Sequence, residues 1–241
     1  MKRTIALVLG CAAMLSTAAM AKDVTYAVGA SATAMTQYTF RGMGLSKNLM
    51  AADLYGAASY KGWLTGRASA WYGQSLLQNN PWGAQEQIYD LSLTASPSKW
   101  YVAVTGGWTY YDGQIGGDLR ELYAVITAAP RAKLPFNAGL AIVWGYNQPY
   151  YAFIPHASKT WGLPDISDKL SLTLYGEYAH VFRQGFDSMS DLKGSVAFNY
   201  QLTEHVTITP KFELVAPGNW VPEPRGCVPG ASINVAYNRN F

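Results

Sequence analysis

Hydrophobic and polar residues alternate along much of this chain with a period of two. Near the C-terminus, Ile233, Val235 and Tyr237 share one face of an extended segment, and Asn234 and Asn238 share the other. Successive side chains of a β-strand point to opposite sides. Segments of about ten residues with this alternation are typical of strands that face lipid on one side and a polar interior on the other. The pattern therefore predicts a chain built from such strands.

The alternation of apolar and polar residues predicts twelve strands, with ten or fourteen as the alternatives. Pro155 interrupts the eighth strand and makes it the weakest prediction, and Pro210 interrupts the eleventh, where a bulge is one expected consequence. The predicted strands cover residues 24–40, 49–60, 63–74, 86–96, 99–111, 119–129, 136–147, 150–161, 169–182, 191–202, 205–215 and 229–241.

Short and long links alternate between the predicted strands. An up-and-down barrel of the outer membrane has short periplasmic turns and longer external loops. The fold class we predict is therefore all-β: a transmembrane antiparallel up-and-down β-barrel with both termini in the periplasm. A soluble β-sandwich is the alternative. The link at 147–150 is short for an external loop, and the other external loops are expected near residues 41–48, 75–85, 112–118, 183–190 and 216–228.

The first residues have the layout of a secretory signal peptide. Lys2 and Arg3 precede an apolar stretch, and Ala19-Met20-Ala21 fits the small-x-small rule for cleavage. We expect a signal peptide over residues 1–21 and the barrel over residues 22–241, and hence export to the bacterial outer membrane. A lipoprotein signal with Cys11 as the lipidation site is the alternative.

Charge and cysteine content argue against several classes of protein. Charged residues make up 14% of the chain, below the roughly 25% of ordinary soluble domains, and the net charge is only +3. Near-neutrality gives no support for a nucleic-acid partner. Once Cys11 leaves with the signal, Cys227 is a lone thiol that cannot form an intramolecular disulfide. Beyond the signal, no run of about 18 apolar residues predicts a transmembrane helix.

The chain ends on an aromatic residue, which the barrel explains. The last strand must pair with the first, because an open sheet edge in lipid leaves backbone groups without hydrogen bonds. Arg239 lies on the apolar face close enough to the end to reach the headgroups. Alternating apolar residues before a terminal aromatic also resemble the C-terminal signature of bacterial outer-membrane proteins. That resemblance implies that Tyr237 and Phe241 form the assembly signal, with the barrel-insertion machinery as partner.

Two further segments are informative, "TQYTFRGMGLSKN" at 36–48 and "YYDGQIGGDLRELYAVI" at 110–126. Both resemble segments of the TorF-like porins. Met43 and Leu45 depart from the family pattern, in which polar residues are commoner after the glycine. The resemblance implies a signal peptide, a barrel and diffusive transport, and it implies no catalytic or ligand residues. The matching residues are Tyr38, Phe40, Arg41, Gly42, Ser46, Tyr111, Asp112, Glu121 and Tyr123.

Charged residues on the polar faces are candidates for the wall of a lumen. An Arg or Lys that faces lipid at midplane costs about 2 to 4 kcal/mol. Arg41 is a candidate for the pore mouth, with a role as headgroup anchor as the alternative. We predict passive diffusion of small polar solutes or ions, with no cofactor or metal. The remaining candidates for the pore wall are Arg67, Asp90, Glu121, Glu177, Lys193, Lys211 and Glu213.

Enzyme chemistry has one weak candidate. His156 and Ser158 fall on one strand face and faintly resemble the His-x-Ser pair of lipid A deacylases, but no acidic residue nearby in sequence completes a triad. His180 and His205 lack metal-ligand spacing. We therefore expect no enzyme. The alternatives to a porin are a structural or interaction barrel with a plugged lumen and, third, a membrane-embedded hydrolase. The sequence leaves the oligomeric state open.

Overall fold

The computed structural model describes residues 23–40, 43–76, 85–112, 118–183, 189–217 and 227–241. The predicted signal peptide lies outside these residues. No helix within the described ranges is long and apolar enough to cross a membrane. The described residues form twelve strands: β1 (Val24–Phe40), β2 (Met43–Tyr60), β3 (Leu64–Ser75), β4 (Gln85–Ala95), β5 (Val102–Asp112), β6 (Leu119–Ala128), β7 (Asn137–Gly145), β8 (Tyr150–Gly162), β9 (Leu170–Arg183), β10 (Met189–Gln201), β11 (Val206–Pro217) and β12 (Val228–Asn240).

The strands close into one antiparallel up-and-down barrel. Each strand pairs with the next along the chain, and β12 pairs with β1 from Ala27↔Asn240 to Met35↔Ser232. The terminal residue extends this seam, because Phe241 N donates to Tyr26 O at 2.8 Å and Tyr26 N donates to Phe241 O at 3.2 Å. The predicted closed, antiparallel all-β barrel and its strand number are confirmed, and the alternatives with ten or fourteen strands are wrong.

The even strand number brings both ends of the described chain to one end of the barrel. We call this the turn end. It also carries the short links at 61–63, 96–101, 129–136, 163–169 and 202–205, of which the third contains a 3-10 turn, Pro130–Ala132. The opposite end, which we call the loop end, receives the remaining links, at 41–42, 76–84, 113–118, 146–149, 184–188 and 218–227.

Two predicted strand boundaries are wrong by three residues or more, and the others lie within two residues of the observed ones. β2 begins at Met43 and not at residue 49, because its backbone pairs with β1 as far as Phe40↔Met43 across an irregularity at Tyr38/Thr39. Most of the predicted 41–48 loop is therefore strand. At the other end, β5 begins at Val102 and not at residue 99, because Trp100 N donates to Pro97 O at 2.9 Å and belongs to a turn.

Pro155 and Pro210 both lie inside strands, and neither shifts the pairing register. The β8–β9 pairs stop at Phe153↔His180 and resume at His156↔Glu177, on either side of Pro155. The β10–β11 pairs stop and resume in the same way opposite Pro210. Proline lacks the N–H that a ladder requires, so pairs are lost locally. The bulge considered at Pro210 does not form.

The outward face of the barrel is apolar and carries two aromatic bands. Four basic residues at the turn end lie over outward rings, at 5.0 to 5.3 Å from the ring centroids, including Arg239 over Phe241 at 5.0 Å. Aromatic girdles on either side of an apolar band are typical of transmembrane barrels. The turn-end band contains Tyr60, Trp63, Trp100, Tyr101, Phe136, Trp161, Phe198, Tyr200, Tyr237 and Phe241, and the loop-end band contains Tyr72, Tyr89, Trp108, Tyr110, Trp144, Tyr146, Tyr151, Phe153, Tyr178 and Phe182.

Candidate functional site: the barrel interior

Seven of the eight candidates for the pore wall point into the barrel. The strand register places each of them on the face opposite the exposed apolar row of its own strand. The eighth, Arg41, lies outside the described residues. An inward position is what a pore wall requires. The seven inward residues are Arg67, Asp90, Glu121, Glu177, Lys193, Lys211 and Glu213.

Four of these residues form one connected group on β9, β10 and β11, which we call the mid-barrel charge cluster. Lys193 Nζ lies 3.9 Å from Glu177 Oε1 and 3.4 Å from Glu213 Oε2. Lys211 Nζ lies 2.8 Å from the same oxygen of Glu213. The cluster therefore contains two cations and two anions. Because the charges balance, the cluster gives the lumen no strong field of one sign.

Water reaches the mid-barrel charge cluster unequally. The Lys211 side chain is 37% exposed, that of Lys193 is 25% exposed, and that of Glu213 is 14% exposed. Glu213, the most enclosed, is the carboxylate that contacts both lysines. Glu177 is 22% exposed, so both lysines and one glutamate of the cluster are more accessible than Glu213.

Tyr175 and His156 extend the charge cluster along the wall. The Tyr175 hydroxyl donates to Glu177 Oε2, and the Tyr175 ring stacks on His156 with the ring centroids 6.3 Å apart. Ser158 lies opposite Tyr175 in the register, and Glu177 lies opposite His156. The fold thus brings an acidic residue of β9 to the register position beside this histidine.

This grouping nevertheless lacks the contacts of a catalytic triad. Nucleophile, base and orienting group are connected by hydrogen bonds in a triad. Within the described part of the chain, the His156 ring donates from Nδ1 to the backbone oxygen of Ile154 at 3.4 Å, and Glu177 contacts Tyr175 and Lys193. Among the described residues, no group of three His, Cys, Asp or Glu side chains could hold a metal ion.

Neutral polar groups continue this wall toward the turn end. Asn199 Nδ2 donates to Thr173 Oγ1 at 3.0 Å, and Thr209 Oγ1 donates to Asn199 Oδ1 at 3.2 Å. The Thr173 hydroxyl also bonds that of Thr160 at 2.9 Å. Side chains from β8 to β11 thus form a continuous surface of hydroxyl and amide groups.

A second carboxylate group lies about half a turn around the barrel, on β4 to β6. Asp90 accepts hydrogen bonds from Thr109 Oγ1 at 2.9 Å and from the Tyr123 hydroxyl at 2.8 Å. Tyr123 reaches Asp90 across Gly107 of β5, where an added Cβ would lie 2.3 Å from the tyrosine ring. Only glycine permits so close an approach, so Gly107 is part of this site.

A second tyrosine ring crosses a glycine near the β1–β12 seam. The Tyr55 ring lies across Gly29, where an added Cβ would be 2.1 Å away, and its hydroxyl donates to Asn238 Oδ1 at 2.7 Å. The Arg67 guanidinium lies over that ring, 4.3 Å from its centroid. Arg67 is thus held against the wall, while its side chain remains exposed to the lumen.

The inner wall is buried in the half of the barrel nearer the loop end. Glu121 is only 2% exposed there and accepts a hydrogen bond from Tyr111 at 3.1 Å. By contrast, inward residues nearer the turn end, such as Gln201 and Asn238, are exposed. The buried residues, which we call the loop-end belt, are Leu49, Ala51, Ser75, Glu86, Thr109, Leu119, Glu121, Val143, Tyr150, Ala152, Ala179, Val181, Asp191 and Val215.

The loop-end belt combines an apolar side with buried carboxylates. Leu119, Val143, Tyr150, Ala152 and Val181 pack into one cluster on β6 to β9. Three acidic residues, Glu86, Glu121 and Asp191, are buried at the same end. The inner wall is therefore less exposed at this end of the interior than at the turn end. Sequence reasoning did not select Glu86 or Asp191, because both lie at the margins of predicted strands, where alternation is short.

Comparison with known proteins shows that solved porin structures have a similar fold. No protein-family model matches the chain, and no curated protein matches it. Among solved structures, the NanC porin has a TM-score of 0.56 at 7% identity, over 86% of this chain and 98% of that one. The KdgM porin in complex with disordered oligogalacturonate has a TM-score of 0.52 at 8% identity, over 88% of this chain and 98% of that one.

A third solved structure is similar over slightly more of the chain. The COG4313 outer membrane channel from Pseudomonas putida F1 has a TM-score of 0.50 at 12% identity, over 92% of this chain and 97% of that one. The shared fold agrees with the apolar outer surface and its aromatic bands. The chain therefore has the fold of an outer-membrane β-barrel, with the architecture of a porin.

Proposed function

We propose that this barrel is a porin that lets small polar solutes or ions diffuse passively through a narrow lumen. The observation that supports it most is the inner wall itself, which is lined with charged, hydroxyl and amide groups from Arg67 to the mid-barrel charge cluster. Water reaches those groups on the turn-end side. A purely structural barrel has no requirement for charges in its interior, where each must be paired or hydrated.

The charges on the inner wall indicate which class of solute the lumen admits. The mid-barrel charge cluster is neutral, and the Asp90 group faces it with Arg67 nearby. Selectivity among ions follows from a field of one sign along the pore. The mixed wall therefore supports small solutes with little net charge and weak selectivity among ions. The similar KdgM porin forms a complex with oligogalacturonate, an acidic oligosaccharide, and a wall of mixed sign does not favour such a polyanion here.

A second candidate function is an interaction barrel with a plugged lumen. The loop-end belt favours it, because buried side chains such as Tyr150 and Val181 occupy the inner face at that end. In that case the loop end would display its links to a partner. The two functions differ in whether solute crosses the belt.

The remaining features of the proposal concern biogenesis and relationship. The barrel follows a signal peptide at 1–21, it inserts through the insertion machinery with Tyr237 and Phe241 as the signal, and it places the turn end in the periplasm. The segments at 36–48 and 110–126 support a relationship with the TorF-like porins.

Liposome swelling separates the two candidate functions. Purified, heat-modifiable barrel is reconstituted into vesicles, which are then diluted into isotonic arabinose, glucose or the tetrasaccharide stachyose. A porin with a narrow lumen admits arabinose faster than glucose and excludes stachyose. Vesicles with the same amount of heat-unfolded protein are the control. Folded barrel that gives no swelling in arabinose above this control would favour the interaction barrel.

A further inference from the structure

The barrel seam opens at the loop end. The β1–β12 ladder ends at Met35↔Ser232, although β1 continues to Phe40 and β12 begins at Val228. Just beyond the last pair, the Thr36 hydroxyl replaces the backbone ladder. It accepts a hydrogen bond from Ala231 N at 3.0 Å and donates one to Ala231 O at 3.3 Å. The two strands therefore separate at Thr36, whereas each remains paired with its other neighbour.

A groove of about 530 Å³ occupies this part of the wall. This volume falls within the range of roughly 300 to 1,000 Å³ for pockets that hold small ligands. Small side chains of the two separating strands, Ala34 and Ala231, are among the residues that line it. The larger outward side chains of Met50, Leu76 and Ile233 border it and are 44%, 63% and 47% exposed.

Polar side chains also line the groove. Thr36, Asn48 and Ser232 line it together with the aliphatic residues. Asn48 adopts a left-handed backbone conformation with φ of 52°, and its backbone oxygen accepts from Leu76 N at 2.9 Å, which fixes the Leu76 side of the groove. The site is therefore mostly aliphatic with a few hydrogen-bonding groups, as expected for an amphiphile.

We propose that this groove binds one acyl chain of a membrane lipid. Its bordering residues Met50, Leu76 and Ile233 belong to the outward row of side chains, so the groove is continuous with the lipid-facing surface of the barrel. Met50 and Tyr60 lie at opposite ends of the outward row of β2, which places the groove where the apolar band meets the headgroups. The aliphatic residues contact the chain, and Thr36 and Asn48 lie on the side of the ester and headgroup.

Two groove variants and one control test this site. Ala34→Phe adds a bulky ring to the wall of the groove, and Met50→Ala shortens one of the aliphatic side chains that line it. Ala58→Phe places the same bulk on the outward face of β2, away from the groove. Each full-length barrel is purified in mild detergent and incubated with palmitoyl-oleoyl phosphatidylethanolamine. Lipid retained after gel filtration is then counted by native mass spectrometry, and heat-modifiability reports folding.

The wild type and Ala58→Phe are expected to retain one phospholipid per barrel, and Ala34→Phe at least fivefold less. If Ala34→Phe does not fold, Met50→Ala becomes the deciding variant. We expect it to retain at least twofold less lipid than the wild type. Wild-type retention by either groove variant that folds, or no retained lipid in the wild type, would overturn the proposal. A wild-type dimer that Ala34→Phe converts to a monomer would also overturn it, because a second copy of the chain would then occupy the groove.

Discussion

Glu213 is the residue that holds the mid-barrel charge cluster together. A single carboxylate oxygen lies 2.8 Å from the ammonium of Lys211 and 3.4 Å from that of Lys193. Its side chain is only 14% exposed, so solvent screens these contacts incompletely. The sign of charge at this residue therefore determines the sign of the whole cluster.

Glu213→Lys should move the selectivity of the pore toward anions. The substitution leaves three lysines and one glutamate in the cluster, and a positive wall attracts anions. The measurement is the reversal potential in a tenfold KCl gradient, with Glu204→Lys as control. Glu204 lies in a turn with its side chain 83% exposed, so we expect a smaller shift there.

Ionic strength provides a second check on this residue. The Debye length falls from about 10 Å at 0.1 M to about 3 Å at 1 M, so the Glu213→Lys shift should shrink as salt increases. A folded, conducting Glu213→Lys barrel with the wild-type reversal potential would exclude Glu213 from the pore wall.

Phe241→Ala should reduce insertion of the barrel into the membrane. The backbone of Phe241 pairs with Tyr26, and that pairing is available to alanine, so the folded barrel should tolerate the change. The terminal ring, which the insertion machinery is proposed to read, is lost. Phe212→Ala is a close control because both phenylalanines are outward and 62% exposed. The measurement is the amount of heat-modifiable barrel in outer-membrane fractions. Equal amounts in the two variants would show that the terminal ring has no special role.

At the scale of the strand, the prolines mark local gaps in the ladders. Pairs are absent where Phe198 and Asn199 of β10 face Thr209 and Pro210 of β11. In lipid, a backbone group that has lost its partner has no water to replace it. This part of the β10–β11 interface is therefore a weak point of the wall.

Pro210→Val should stabilise the barrel by about 1 kcal/mol, the usual contribution of one hydrogen bond, because it restores a backbone donor on an outward position. The midpoint of guanidinium unfolding, followed by tryptophan fluorescence in lipid vesicles, measures this. Ile208→Val, on the same strand where pairing is intact, should lower the midpoint slightly. A midpoint for Pro210→Val at or below that of the wild type would mean that the gap has another cause.

The sequence pattern predicted which segments form strands, but it predicted their first and last residues less well. Alternation identified all twelve strands, including β8 in spite of Pro155. It missed the first residues of β2, because Ser46, Lys47 and Asn48 read as a polar loop, although a strand beyond the apolar band can carry polar residues. It also placed Trp100 inside β5, because an aromatic residue of the interface continues the apolar rhythm into a turn.

At the scale of the whole molecule, the sequence predicted the face of each side chain but not its depth or its neighbours. Lys193 and Glu177 were expected on polar faces, whereas their contact depends on the β9–β10 register. The loop-end belt was not predicted at all, because residues such as Glu86 and Asp191 become neighbours of the same space only when the sheet closes.

Cys227 gives a test of the orientation of the barrel. This exposed thiol directly precedes β12 at the loop end. If the loop end faces outside, a membrane-impermeant maleimide should label it on intact cells. The control is Cys227→Ser with Asp165→Cys, which moves the thiol to a turn at the opposite end and should label only after the outer membrane is broken. The reverse pattern would invert the proposed topology.

The central claim is that the polar interior is a continuous path for solute, and conductance in a planar lipid bilayer tests it most directly. Purified barrel should produce discrete, steady current steps in 1 M KCl, of small size because buried side chains occupy the inner wall at the loop end. Its reversal potential in a KCl gradient should show only weak selectivity between cations and anions, because the two lysines and two glutamates of the mid-barrel charge cluster balance. Heat-modifiable, correctly folded barrel that inserts into the bilayer and yet passes no current would contradict the claim.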